Sequence, residues 1–144
     1  MTVHLLKLSV GVENIEHLMT LQRRRRQEAK RGGLGDRLWH QTRHMPRRAA
    51  ELLDGGSIYW VIKGLIRARQ RVRDLEAVTG ADGIRRCRIV LDPLLVATDP
   101  RPRRPFQGWR YLNEADAPLD RAARAADGGM PPEMEAELRG LGLI

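Results

Sequence analysis

Residues 3–10, VHLLKLSV, are apolar on both faces and broken by Lys7, the pattern of a strand buried from two sides. Gly11 ends that run. From Asn14 the spacing changes: Ile15, Leu18 and Met19 recur at the helical period, which predicts a helix over 13–31. That helix carries four arginines, Arg23 to Arg26. Four consecutive helical residues sweep about 300° of arc, so these side chains cannot share one face, and a solvated end to the helix is expected. A strand is expected around 38–43. Pro46 then opens a second helix, 46–54, where its missing N–H costs nothing; Gly55-Gly56 stop it. Residues 57–63, SIYWVIK, are β-branched or aromatic through their middle and form the clearest strand pattern in the chain.

The next stretch, LIRARQRVRDLE at 65–76, places Arg67, Arg69, Arg71 and Arg73 at every second position. As a strand it would set the four guanidinium groups on one face, roughly 6.6 Å apart, as a stripe able to follow a phosphate backbone. Leu65, Ala68, Val72 and Leu75 also fit a helical stripe, so both readings stand, with strand favoured because Gly64 lets a hairpin follow 57–63 directly. Further strands are expected at 86–91, 94–98 and 109–112. The three prolines in 99–105, DPRPRRP, predict an extended loop. Pro131-Pro132 open a third helix over 131–140, with Glu133 and Glu135 in its first turn and Arg139 near its end, as the helix dipole favours.

Charge sharpens this outline. The 144 residues carry 26 Lys and Arg against 18 Asp and Glu, a net of +8, and only Lys7, Lys30 and Lys63 are lysines. Residues 21–48 hold ten basic and two acidic side chains, residues 63–110 twelve and five, and residues 111–144 three and seven. A basic body with an acidic C-terminal tail, about 113–144, should draw polyanions to its centre. An arginine-, alanine- and glycine-rich composition is equally what a GC-rich genome gives. Length and hydrophobic content suit a single domain, 1–144. No apolar run approaches a membrane span, nothing resembles a signal peptide, and the one cysteine, Cys87, excludes a disulfide framework. A cytoplasmic protein with no membrane association is expected.

Catalytic motifs are missing. His40 and His44 have the spacing of the helical zinc motif, but glutamine and not glutamate follows His40; on a strand they would lie about 13 Å apart, too far to share an ion. Gly32-Gly33-Leu34-Gly35 lacks the lysine-plus-hydroxyl ending of a P-loop. Neither Ser9 nor Ser57 sits in a nucleophile elbow, and Cys87 reads as a packed strand residue. No metal or cofactor is expected. RPRRPFQGWRY at 101–111 is more suggestive, since arginines interleaved with Phe106, Trp109 and Tyr111 are what single-stranded nucleic acid requires: cations for phosphate, rings for bases. Phe106 and Trp109 serve equally well as core anchors for that loop.

Four stretches carry a family resemblance: Val3 to Val12; Trp39 with Thr42-Arg43 and Pro46; GGSIYWVIKG at 55–64; and RRPFQGWRYL at 103–112. They resemble an uncharacterised bacterial family of about 140 residues, classed as a domain of unknown function, which implies no activity. The pattern of elements is also similar to the PUA and ASCH small β-barrels, which implies RNA or modified-nucleotide binding. The fold expected is α+β: a mostly antiparallel, partly closed PUA/ASCH-like β-barrel flanked by about three helices. The function expected is a non-catalytic nucleic-acid-binding module for RNA or a nucleotide. Arg67, Arg69, Arg71 and Arg73 would contact phosphate with Lys63 as a further cation. Arg43, Arg103, Arg104 and Arg110 would frame a cleft, Phe106 or Trp109 would stack a base, and Gln107 would hydrogen-bond to it. Two alternatives are kept: an adaptor docking its basic helix on an acidic protein partner, and a small enzyme on nucleotide-like substrates using Lys63 or Asp92.

Overall fold

The computed structural model describes residues 1–121. The third helix expected at 131–140, and most of the acidic tail, lie outside them. Seven strands form the body: β1 (Val3–Leu8), β2 (Trp39–Thr42), β3 (Ser57–Ile62), β4 (Leu65–Thr79), β5 (Arg85–Leu91), β6 (Val96–Pro102) and β7 (Trp109–Asn113). Two helices, α1 (Ile15–Arg31) and α2 (Ala49–Leu53), interrupt them, and a single 3-10 turn follows at Glu114–Asp116. The strand order is β2-β5-β4-β3-β1-β7, with β6 also paired to β4. β1 and β3 run parallel and the other pairs are antiparallel.

This architecture corrects the expected one. The molecule is mostly β, with one long helix and one short one among the described residues, and its sheet is open where a partly closed PUA/ASCH-like barrel flanked by about three helices was expected. Closure needs a hydrogen-bonded ladder between the two end strands. Here β2 has four residues, all paired to β5, while β7 pairs only with β1. The helix expected over 46–54 forms only at Ala49–Leu53; Arg48 at its N-terminus makes no side-chain cap. The loop expected over 99–105 is also shorter, because β6 runs on to Pro102. Its prolines, Pro100 and Pro102, are tolerated since β4 is the one strand that pairs with β6 among the described residues, and the bridge on its other side lies at Thr98, before them.

The core follows from alternation. Val3 and Leu5 of β1 and Ile58, Trp60 and Ile62 of β3 point to one face, where Leu18 of α1, Leu52 of α2 and Cys87, Ile89 and Leu91 of β5 cover them. Leu6, Tyr59, Val61, Ile66 and Leu112 form a smaller cluster on the opposite face. Asn14 caps α1 by accepting from the His17 amide at 2.8 Å. Leu18, Gln22 and Ala29 are that helix's buried positions. Gln22 is matched by Gln70 of β4: the two amides exchange 2.7 Å hydrogen bonds, and Trp60 Nε1 donates to Gln70 Oε1 at 2.9 Å. The buried polar groups of Gln22, Gln70 and Trp60 thus answer one another. Arg23, Arg24 and Arg25 remain exposed, and Arg26 makes a two-pronged contact with Asp36 at 2.8 Å.

Candidate functional site

The arginine stretch is a strand, β4, but its stripe is not straight. Trp60 pairs with Ala68 while Val61 pairs with Ile66, leaving Arg67 as the extra residue of a bulge. Val72 pairs with Leu91 while Asp74 pairs with Val90, which leaves Arg73 extra in the same way. Strict alternation therefore holds only from Ala68 to Val72, with Arg69 and Arg71 on one face. Arg69 grips Asp120 through two hydrogen bonds of 2.6 and 2.8 Å, and this pair holds the Asp120 carboxyl below its usual range. Arg73 binds Asp92 at 2.5 Å. Two of the four guanidinium groups are thus neutralised by neighbours. Arg71 lines a shallow hollow with Arg73 and Asp92, away from the other candidates.

The remaining candidates separate by position. Lys63 is exposed on the β3–β4 turn and ion-paired to Glu13. Arg103 and Arg104 are exposed in the loop before β7. Phe106 packs against the smaller core cluster, with the Arg110 guanidinium 5.6 Å above its ring. Arg43, Gln107, Trp109 and Arg110, in contrast, line one cleft of about 970 Å³. It occupies the place where a barrel would have closed: His40, Gln41 and Thr42 of β2 form one side and Trp109, Arg110 and Tyr111 of β7 the other. Trp109 Nε1 donates across it to the His44 carbonyl at 3.3 Å, and the Arg48 amide donates to Tyr111 Oη at 3.1 Å. Trp109 and Tyr111 meet edge to face at 4.9 Å.

Two further cleft residues, Lys7 and Arg47, were not singled out from the sequence as ligand-binding, and Tyr111, named there among the rings of 101–111, joins them in the lining. Lys7 was visible as the one charge inside an apolar strand. The register places it beside Trp60 of β3 on one side and Trp109 of β7 on the other. Burial lowers the pKa of its ammonium group. Among the described residues no carboxylate pairs with Lys7, Arg43, Arg47 or Arg110, and the cleft lining contains no Asp or Glu. Four cationic residues and two aromatic rings thus share a concave surface without counter-charge among the described residues.

His40 lies where this cleft meets two other hollows. One, about 450 Å³, is lined by Arg25, Glu28, Arg37, Trp39 and Gln41 among others; the second, about 200 Å³, runs beneath α1. Burial pushes the His40 imidazole down to about 4, with the charges of Lys7 and Arg25 acting the same way, so it is neutral at pH 7. Its ring stands edge-on to Trp60 at 5.3 Å. Among the described residues no group of three or more His, Cys, Asp or Glu is placed to hold a metal ion. Cys87 is buried against Met45, and burial pushes its thiol up to about 11, so it offers no thiolate nucleophile at neutral pH. No described helix is long and apolar enough to cross a membrane.

No curated protein and no solved structure matches this chain. A family model does match, over residues 5–144, and the chain belongs to that family, described as a protein of unknown function, DUF1489.

Proposed function

We propose that the cleft between β2 and β7 binds single-stranded nucleic acid, RNA foremost, without catalysing a reaction on it, in the cytoplasm. The observation that carries this is the lining itself: Lys7, Arg43, Arg47 and Arg110 with Trp109 and Tyr111, and no carboxylate among the described residues. Guanidinium groups take phosphates through a planar fork, and an aromatic face accepts any base. Gln107 and Gln41 line the same cleft and offer amides for a base edge. The straight four-arginine track on β4 is replaced in this reading by the cleft, because Arg69 and Arg73 are held by Asp120 and Asp92. Lys63 and Asp92, candidates for a small enzyme, lie outside the cleft lining and are each engaged in an ion pair.

The test is a titration of a labelled single-stranded RNA of about ten nucleotides, a length within the range bound by single-strand modules. Binding at low salt that weakens about tenfold or more in the double variant Arg43→Gln/Arg47→Gln, and little in Arg71→Gln, supports the cleft. Equal loss from both variants, or no binding at low salt, sinks it. A second reading is favoured by two contacts. Asp120, from the start of the acidic tail, sits on Arg69, and the Asp116 carbonyl accepts from Arg101, so the tail's beginning folds back onto β4 and β6. An acidic protein partner displacing this segment would make the chain an adaptor, and binding of acidic peptides but not RNA would select that reading.

A further inference from the structure

We propose that the smaller hollow beneath α1 seats the terminal phosphate of the strand held in the cleft, so that the protein recognises a phosphorylated end. This rests on the reading of the cleft given above. Ser9 Oγ, His40 Nε2 and Arg88 Nε are buried side-chain atoms without a hydrogen-bond partner among the described residues, and the first two belong to residues that line this one hollow of about 200 Å³. Buried polar atoms are nearly always paired, so two orphans lining one cavity point to a ligand that satisfies them. Lys7 and Arg25 line the same hollow, and neither is paired with a carboxylate among the described residues. Gln22, the remaining polar residue of the lining, is already engaged by Gln70.

The available groups are therefore two cations, a hydroxyl and an imidazole able to donate from Nε2. That donor set suits an anion with several oxygens and does not suit a cation. Lys7 and His40 line both the hollow and the cleft, which sets the two side by side. The rest of the hollow's wall is apolar, with Val12, Leu18, Leu38 and Trp60, and no cation beyond Lys7 and Arg25 leads a backbone onward. An end can enter such a place and a continuous strand cannot. A phosphomonoester also carries close to two charges at neutral pH, against one for an internal phosphodiester, so it gains more from two unpaired cations.

The experiment compares one short RNA in three forms, bearing a 5′-phosphate, a 3′-phosphate, or hydroxyls at both ends, with the corresponding nucleoside monophosphate as a fourth ligand. One phosphorylated form should bind about tenfold tighter than the hydroxyl form. Arg25→Gln and Lys7→Met should each remove most of that preference, while Arg85→Gln on β5 should leave it. Arg25 is exposed, so its variant tests the proposal even if Lys7→Met does not fold. Three outcomes overturn the inference but spare the cleft: equal binding of all three RNAs, a preference that survives Arg25→Gln, or a nucleoside monophosphate that binds as tightly as the phosphorylated strand. Failure of every RNA to bind overturns the cleft reading as well.

Discussion

His40 shows how placement changes a residue's chemistry. Its neighbours in sequence suggested at most a zinc ligand, whereas the folded chain buries it against Trp60 with Lys7 and Arg25 nearby. Its pKa falls from about 6.5 in the unfolded chain to about 4 in the fold. Above pH 6.5 it is neutral in both states and costs nothing. As pH falls toward 4, the unfolded chain takes up a proton that the folded chain refuses, so stability drops, by up to about 3 kcal/mol from this group. His4, whose pKa is also lowered by burial, adds in the same direction. The paired Asp92 and Asp120 have lowered pKa values, so their contributions are lost mainly below this window. Urea denaturation at pH 7.0 and 4.5 should show the loss, and His40→Gln should recover most of it. An unchanged loss in the variant would remove His40 as its source.

At the scale of elements, the informative unit is the β3–β4 hairpin. Ile62 pairs with Leu65, so Lys63 and Gly64 alone make the turn, with φ of 49° and 79°. Two successive positive φ values are the two-residue hairpin geometry that matches strand twist, and only glycine adopts such a value freely. Gly64→Ala should destabilise the protein by about 1 kcal/mol, the usual cost of placing a Cβ in the left-handed region. Gly56 is constrained differently: a Cβ there would collide with the Leu52 and Val3 carbonyls and the Leu52 side chain. Gly56→Ala should therefore cost more, about 3 kcal/mol by overpacking. Chemical denaturation of the two variants measures this order, and a reversed order would contradict the tight seat of α2 on β1. The hairpin also starts the long β4, whose bulges at Arg67 and Arg73 break the stripe that plain alternation implied.

For the whole molecule the decisive quantity is where uncompensated charge faces a concave surface. Side-chain ion pairs among the described residues engage Arg26, Arg37, Arg48, Lys63, Arg69, Arg73 and Arg86. None engages Lys7, Arg43, Arg47 or Arg110 in the cleft. If these four each neutralise one phosphate of a single strand, log Kd against log salt should have a slope of magnitude about 3, and each arginine-to-glutamine change should reduce it by about 0.7. A slope near zero would mean that the cleft does not meet the backbone. A full slope retained in the cleft variants would move the contact elsewhere, to Arg71, Arg103 or Arg104.

Local pattern sufficed to place β1, β2, β3, β5 and β7, α1 with its Asn14 start, and the turn at Gly64, because alternation, helical spacing and glycine act between residues close in sequence; it left β4 open between strand and helix and ended β6 short of Pro102. Family membership was legible too, in GGSIYWVIKG and RRPFQGWRYL. Three things were decided only by the tertiary structure. The sheet stays open because β2 and β7, some seventy residues apart, do not pair. The arginines of β4 fall out of line because bulges depend on the partner strand's register. Lys7, His40 and Arg110 come to line one cleft because β1, β2 and β7 converge there. Charge total is a property of composition, but which charges remain unpaired depends on long-range contacts such as Arg69 with Asp120, and no local pattern encodes those.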